Sequence, residues 1–97
     1  MLPVTFLNEA EAELEEAQAW YEERSPGLGQ AFVTSVQAAI ERIRRSPWQF
    51  PVVDHEVRRA LIRRFPYGVF YLAEEDRVVV IAVFHSSRNP REWKARV

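Results

Sequence analysis

The apolar residues of this chain change period once, and that change limits the folds open to it. Over residues 9–45 they recur three and four apart: Ala10, Leu14, Ala17 and Trp20/Tyr21, then Phe32, Val36, Ala39/Ile40 and Ile43. Such spacing lines up side chains on one face of an α-helix. Ser25-Pro26-Gly27 interrupts the pattern, because proline and glycine break helices. The spacing predicts one helix over about residues 9–24 and a second over about 29–45. The break from Ser25 to Leu28 is short enough to force an antiparallel helical hairpin. Asn8, with Glu11 three residues on, reads as an N-cap with a capping box. Arg42, Arg44 and Arg45 crowd the negative end of the second helix, and Ser46-Pro47 stops it.

From Val57 the pattern is that of β-structure. Strands are predicted over residues 57–65, 67–73 and 77–85, the last two joined as a hairpin by Glu74-Glu75-Asp76. Pro3 to Leu7 reads as a short first strand, Trp48-Gln49-Phe50-Pro51 as an aromatic turn lying over the helical core, and residues 52–56 as a loop. Residues 86–97 form a polar tail with one helical turn near Pro90 to Trp93. The order β-α-α-β-β-β implies an α+β fold, a helical hairpin packed on one face of a mainly antiparallel sheet. Strand 77–85 is apolar at nearly every position from Val78 to Phe84, so both its faces should be covered and it should be central. Strand 57–65 differs. Arg59 and Arg63 interrupt one face, and Arg58 and Arg64 flank Ala60 and Ile62 on the other, as on an edge strand or a binding surface. Two helices cover one sheet face only. The second face therefore lacks a cover within the chain, and a partner is expected there.

Ninety-seven residues with a hydrophobic fraction of 47% suit one folded domain, residues 1–97. The net charge of −1 hides an asymmetry: residues 1–24 carry seven Glu against one Arg, and residues 57–97 carry nine Lys/Arg against four Asp/Glu. The total speaks against general nucleic-acid binding, while the distribution permits a basic face. Without cysteine there is no disulfide, thiolate metal site or cysteine nucleophile. The opening residues lack a basic, then apolar, leader, and no run is long enough for a membrane span. A cytoplasmic protein that does not contact membranes is the expectation.

Several stretches together resemble one known family. Glu11-Ala12-Glu13-Leu14-Glu15-Glu16-Ala17 with Trp20-Tyr21-Glu22, then Pro26-Gly27-Leu28-Gly29 with Phe32, is similar to the start of RelE/ParE toxins of type II toxin–antitoxin systems. Ser46-Pro47 with Phe50-Pro51, Val57-Arg58-Arg59, Arg64-Phe65-Pro66-Tyr67 and Val69-Phe70-Tyr71 continue the likeness. His85-Ser86-Ser87-Arg88-Asn89-Pro90 with Trp93 resembles the C-terminal signature of the ParE side. The resemblance spans nearly the whole chain and implies the fold just read. It also implies a toxin neutralised by a cognate antitoxin, whose C-terminal segment wraps the toxin in a hetero-oligomeric complex. Leu14, Trp20, Tyr21, Phe32, Arg58 and Arg64 are the candidate antitoxin contacts.

Three functions stay open under that resemblance. A ParE-like toxin inhibits DNA gyrase by binding it and needs no catalytic residue; Arg59, Arg63, Tyr67, Tyr71, Arg88 and Arg91 are then the candidate contacts to the target, or to RNA. A RelE-like toxin cuts messenger RNA on the ribosome. That reaction needs an acid or base, for which His85 is the candidate, and cations for the phosphorane, for which Arg63, Arg64 and Arg88 are candidates. Tyr67 or Tyr71 would stack on a base. The basic loop of such enzymes is often lysine-rich, and here Lys94 is the one lysine. The third reading is a toxin fold that serves as a binding module with weak or no toxicity. No cofactor is implied. Asp54-His55-Glu56 reads as a solvated loop, without the i, i+3 or i+4 ligand pair of a metal site, and Gly27-Leu28-Gly29 lacks the other parts of a phosphate loop.

Overall fold

The computed structural model describes residues 1–89 and 91–97. Its elements are β1 (Val4–Phe6), α1 (Asn8–Arg24), α2 (Leu28–Arg45), β2 (Val52–Asp54), β3 (Val57–Leu61), β4 (Tyr67–Ala73), β5 (Val78–His85) and α3 (Arg91–Lys94). The five strands form one sheet in the order β1-β5-β4-β3-β2. β1 runs parallel to β5, and every other pairing is antiparallel.

The helical hairpin forms where the apolar spacing places it. Phe32, Val36, Ala39 and Ile43 of α2, with Ala10 and Ala17 of α1, are buried against Ala60, Val69, Tyr71, Val78, Val80 and Val83 of the sheet. The Glu22 carboxylate ties the connection by accepting the N–H groups of Gly27 and Gly29, at 2.9 and 3.0 Å. Gly29 is required by close approach, since a Cβ there would lie 2.6 Å from the carbonyl oxygen of Gln18. The start of α1 departs from expectation. Asn8 is not its cap; Leu7 holds that position in extended conformation with no side-chain cap. The ladder explains the shift. Leu7 donates its N–H to Val80 O at 2.9 Å, so the strand continues until the helix begins.

Residues 52–54, expected as loop, are instead the edge strand, with Val52 opposite Arg58. β3 is therefore covered on that side and is not the edge. It also ends at Leu61 rather than Phe65. Arg64 adopts a left-handed φ of 74°, and Phe65 turns inward against Tyr21 and Phe32, ring centroids 4.9 and 5.2 Å away. That inward turn lifts residues 63–66 off the ladder, whose last bond runs from the Ile62 N–H to Tyr67 O at 3.0 Å. β5 does lie inside the sheet, between β1 and β4.

The second sheet face is not bare, which corrects the expectation that the chain lacks a cover for it. Val57, Ile81, Ala82 and Phe84 form a second buried cluster beneath Trp93 of α3, which is 2% exposed and lies 4.9 Å from Phe70 between ring centroids. The expected helical turn is present as Arg91–Lys94, while Pro90 lies outside the described residues. A buried ion pair anchors the tail. β1 pairs with β5 only at Val78 to Val80, which leaves the later polar groups on that side of β5 without a strand. Glu13 reaches over from α1 and accepts the Val83 N–H at 3.0 Å. Arg96 grips the same carboxylate at 3.0 and 2.7 Å and donates to Ile81 O at 2.9 Å. Glu13 is 8% exposed, and its hydrogen bond raises the pKa of Arg96.

Removing one partner of a buried, fully bonded pair strands the other. Glu13→Ala should therefore lower unfolding stability by about 2–4 kcal/mol in urea titrations. Glu74→Ala, which breaks the exposed pair with Arg77, should leave the midpoint where it is.

Candidate functional site

Strand alternation sorts the arginines of β3. Arg58 shares the helix-side face with Ala60, and Arg59 and Leu61 point to the other face, opposite Phe70 and Gly68 of β4. The part of this second face that α3 leaves open is a groove of about 510 Å³. Gly68, Phe70 and Phe84 line it together with Arg59, and Trp93 and Lys94 of α3 close one side. Gly68 makes room for the arginine: a Cβ there would come within 3.1 and 3.2 Å of Arg59 Cγ and Cδ. The Arg59 stem thus lies flat on bare backbone. Its Nε is buried, with no hydrogen-bond partner among the described residues.

Tyr67, His85 and Arg88 line this groove and also a hollow of about 300 Å³ beside α1 that Trp20, Tyr21 and Glu16 border. Arg88 stacks 4.2 Å over the ring of Phe84 and pairs with Glu92. His85 Nδ1 accepts the backbone N–H of Ser87 at 3.0 Å and lies 2.8 Å from its hydroxyl. A neutral ring held this way carries its proton on Nε2. The ring packs edge-on against Tyr67 at 5.2 Å. Burial raises the Tyr67 pKa, and Tyr21 adds to the rise.

The remaining candidates lie elsewhere. Arg63 and Arg64 are exposed on the turn after β3, and Arg91 is exposed on α3. Arg58 is spent within the chain: it donates to Trp48 O at 2.9 Å and Phe50 O at 2.7 Å, with its guanidinium 5.3 Å from the Trp48 ring. Phe32 and Tyr71 are completely buried. Phe32 is thus core and offers an antitoxin no surface, and Tyr71, whose hydroxyl donates to Pro47 O at 2.7 Å, offers no ring for a base to stack on. Leu14 and Tyr21 are half-buried, whereas Trp20 is 49% exposed beneath the guanidinium of Arg24. Phe70, Phe84 and Trp93 belong to the groove and were not among the site candidates read from the sequence. A glycine inside a strand, Gly68, was the available signal. Among the described residues no group of three or more His, Asp or Glu side chains gathers to hold a metal ion, and no helix is long and apolar enough to cross a membrane.

The family model described as the ParE toxin of type II toxin–antitoxin systems, parDE, matches residues 4–90. The chain belongs to this family. Toxin ParE2 of Mycobacterium tuberculosis, in two strains, is 28% identical over 91 residues, covering 93% of this chain and 87% of the relative. In three dimensions the chain is similar to a structure titled as the chromosomal ParDE TA system from P. aeruginosa, with a TM-score of 0.63 at 14% identity, covering 88% of this chain and 96% of that one. That likeness shows a shared fold. This ParE toxin is accordingly the toxin side of a type II pair, and a cognate antitoxin is its partner in a hetero-complex.

The buried tyrosine of the ParE toxin gives its stability a pH signature. Burial pushes the Tyr71 hydroxyl up to about 12, with Arg58 pulling weakly the other way. An unfolded tyrosine ionises near 10, so between about pH 10 and 12 the unfolded chain loses a proton that the folded chain keeps. Stability is fully present below that window and falls through it, by about 2–3 kcal/mol for this residue. Urea midpoints should drop between about pH 9 and pH 11.5. In Tyr71→Phe the drop should shrink.

Proposed function

We propose that this ParE toxin acts in the cytoplasm by binding and inhibiting DNA gyrase, without bond-breaking chemistry of its own. The observation that carries this reading is the state of His85. A ribonuclease needs a base to take the 2′-hydroxyl proton or an acid for the leaving oxygen. His85 Nδ1 accepts the backbone N–H of Ser87 and lies 2.8 Å from its hydroxyl, so the nitrogen that would have to take a proton as base is already occupied. Of the three cations of the ribonuclease reading, one shares the groove with His85. Arg88 is paired with Glu92, and Arg63 and Arg64 are not among the residues of the groove that His85 lines. Exposed Arg63, Arg64 and Arg91 instead suit a surface that meets a protein target, where charge steers association.

Purified toxin should inhibit gyrase supercoiling and leave message intact on translating ribosomes, and His85→Ala should inhibit as the parent does. Reversing charge in the Arg63→Glu, Arg64→Glu double variant should slow association with gyrase by about tenfold at low salt, with the deficit shrinking as salt rises. Message cleavage that disappears in His85→Ala would replace this reading with the ribonuclease one. Absence of both activities, with no growth arrest on induction, would leave only a binding module.

A further inference from the structure

The β2 edge of the sheet is open, and it is apolar. Among the described residues, four of the seven large apolar side chains that the chain exposes gather there: Trp48 before β2, Val52 and Val53 on it, and Leu61 on β3 beside it. Arg59 donates its N–H to Pro51 O at 3.1 Å. Val52 stands opposite Arg58, so in this antiparallel ladder its own N–H and C=O turn away from β3. Sheet edges are commonly guarded by a lysine. β2 reads Val52-Val53-Asp54 and has no basic residue. Unpaired backbone groups flanked by apolar side chains form a template for another strand.

The charges at the two ends of β2 identify that strand. Arg58 lays its guanidinium on the carbonyls of Trp48 and Phe50, at the entry to β2. No carboxylate pairs with it among the described residues. Glu56, just past the exit from β2, is exposed and has no ion-pair partner among them either. We propose that β2 docks a second copy of this chain, the two β2 strands running antiparallel about a two-fold axis at Val52. The register follows from the outward groups of Val52, which exchange hydrogen bonds with those of its counterpart. Asp54 then stands across from Phe50 of the second copy, and Glu56 across from its Trp48, the two residues whose carbonyls hold Arg58. Each acidic end meets the other copy's arginine, twice by symmetry. A strand with this order of charges is complementary to itself when reversed. The two five-stranded sheets become one, and the apolar side chains around Val52 leave water. The register shift after Val52 keeps the new ladder short, so the dimer is weak and forms only as concentration rises. This pairing does not depend on gyrase being the target.

The chain has no cysteine, so a single Val52→Cys substitution tests the axis directly. Opposed residues of a hydrogen-bonded antiparallel pair lie about 5.5 Å apart between Cα atoms, within disulfide reach. Under mild oxidation the purified Val52→Cys toxin should form a disulfide dimer at least about tenfold faster than Glu75→Cys, a variant at an exposed position in the β4–β5 turn. Sedimentation of the unmodified toxin should show its mass rising from one chain toward two through the micromolar range. Val52→Lys sets two like charges on the axis and should stay a single chain. Its thermal transition at low concentration should match the parent's, because Val52 is exposed. Glu56→Lys should weaken the dimer by about tenfold, and by less at high salt. A benzophenone amino acid in place of exposed Gln49, irradiated with antitoxin and gyrase present, should crosslink to a second toxin chain. Crosslinks to antitoxin or to gyrase alone would give the edge to that protein and overturn the proposal. A one-chain mass up to about 1 mM, a Val52→Lys dimer as tight as the parent's, or equal disulfide rates at the two cysteine positions would overturn it as well.

Discussion

One carboxylate on α1 and one guanidinium near the end of the chain close the free flank of β5. β1 is three residues long and, with Leu7, supports β5 only as far as Val80. Beyond that point the ladder would present unpaired polar groups in a largely buried place. Glu13 takes the Val83 N–H, Arg96 takes the Ile81 carbonyl, and the two hold each other. A buried ion pair is stabilising only when further hydrogen bonds satisfy both partners, and here backbone groups of β5 engage each of them. The pair fixes α1 to the sheet and brings the tail back across 83 residues of chain.

That return sets the shape of the functional surface. With Arg96 anchored, Trp93 lies against Phe70 and seals one part of the second sheet face. The part left open becomes a groove with an arginine, an apolar floor and a tryptophan wall. On the gyrase-binding reading proposed above, the toxin's action rests on which surfaces are rigid and which charges are left unanswered. The acidic first helix and the basic second half read as a charge imbalance in the sequence. In the fold, much of the basic charge is consumed locally. Arg58 braces the Trp48 turn, Arg44 holds Leu2 O and Glu41, and Arg42 holds Leu61 O. Arg59, Arg63, Arg64 and Arg91 make no side-chain hydrogen bond or ion pair among the described residues.

The hairpin was legible because each helix repeats its apolar residues over many turns. Phe32, Val36, Ala39 and Ile43 are buried as their spacing requires. β5 was legible as an interior strand for the same reason, an unbroken apolar run. What escaped depends on pairing and not on local pattern. Val52–Asp54 is a strand only because β3 offers it a ladder, and Leu7 caps α1 only because Val80 holds its N–H. The site was half legible. Arg59, Tyr67, His85 and Arg88 were picked out and meet in one groove. Tyr71 and Phe32 were also picked out and are core, since residue type alone does not say which sheet face or helix face a side chain takes. The pairing of Glu13 with Arg96 has no local signature at all. The same holds for the cover that Trp93 supplies, and a bare second face was therefore expected.

Amide hydrogen exchange at Val83 tests the closed flank most directly. If Glu13 and Arg96 hold that edge shut, the Val83 N–H opens only when the protein unfolds globally, and it exchanges as slowly as the amides of Val69 and Val80 in the middle of the sheet. Exchange at Val83 as fast as at the exposed turn residues Glu75 and Asp76, with the rest of β5 protected, would mean that the tail is not fastened and that the groove has no fixed wall.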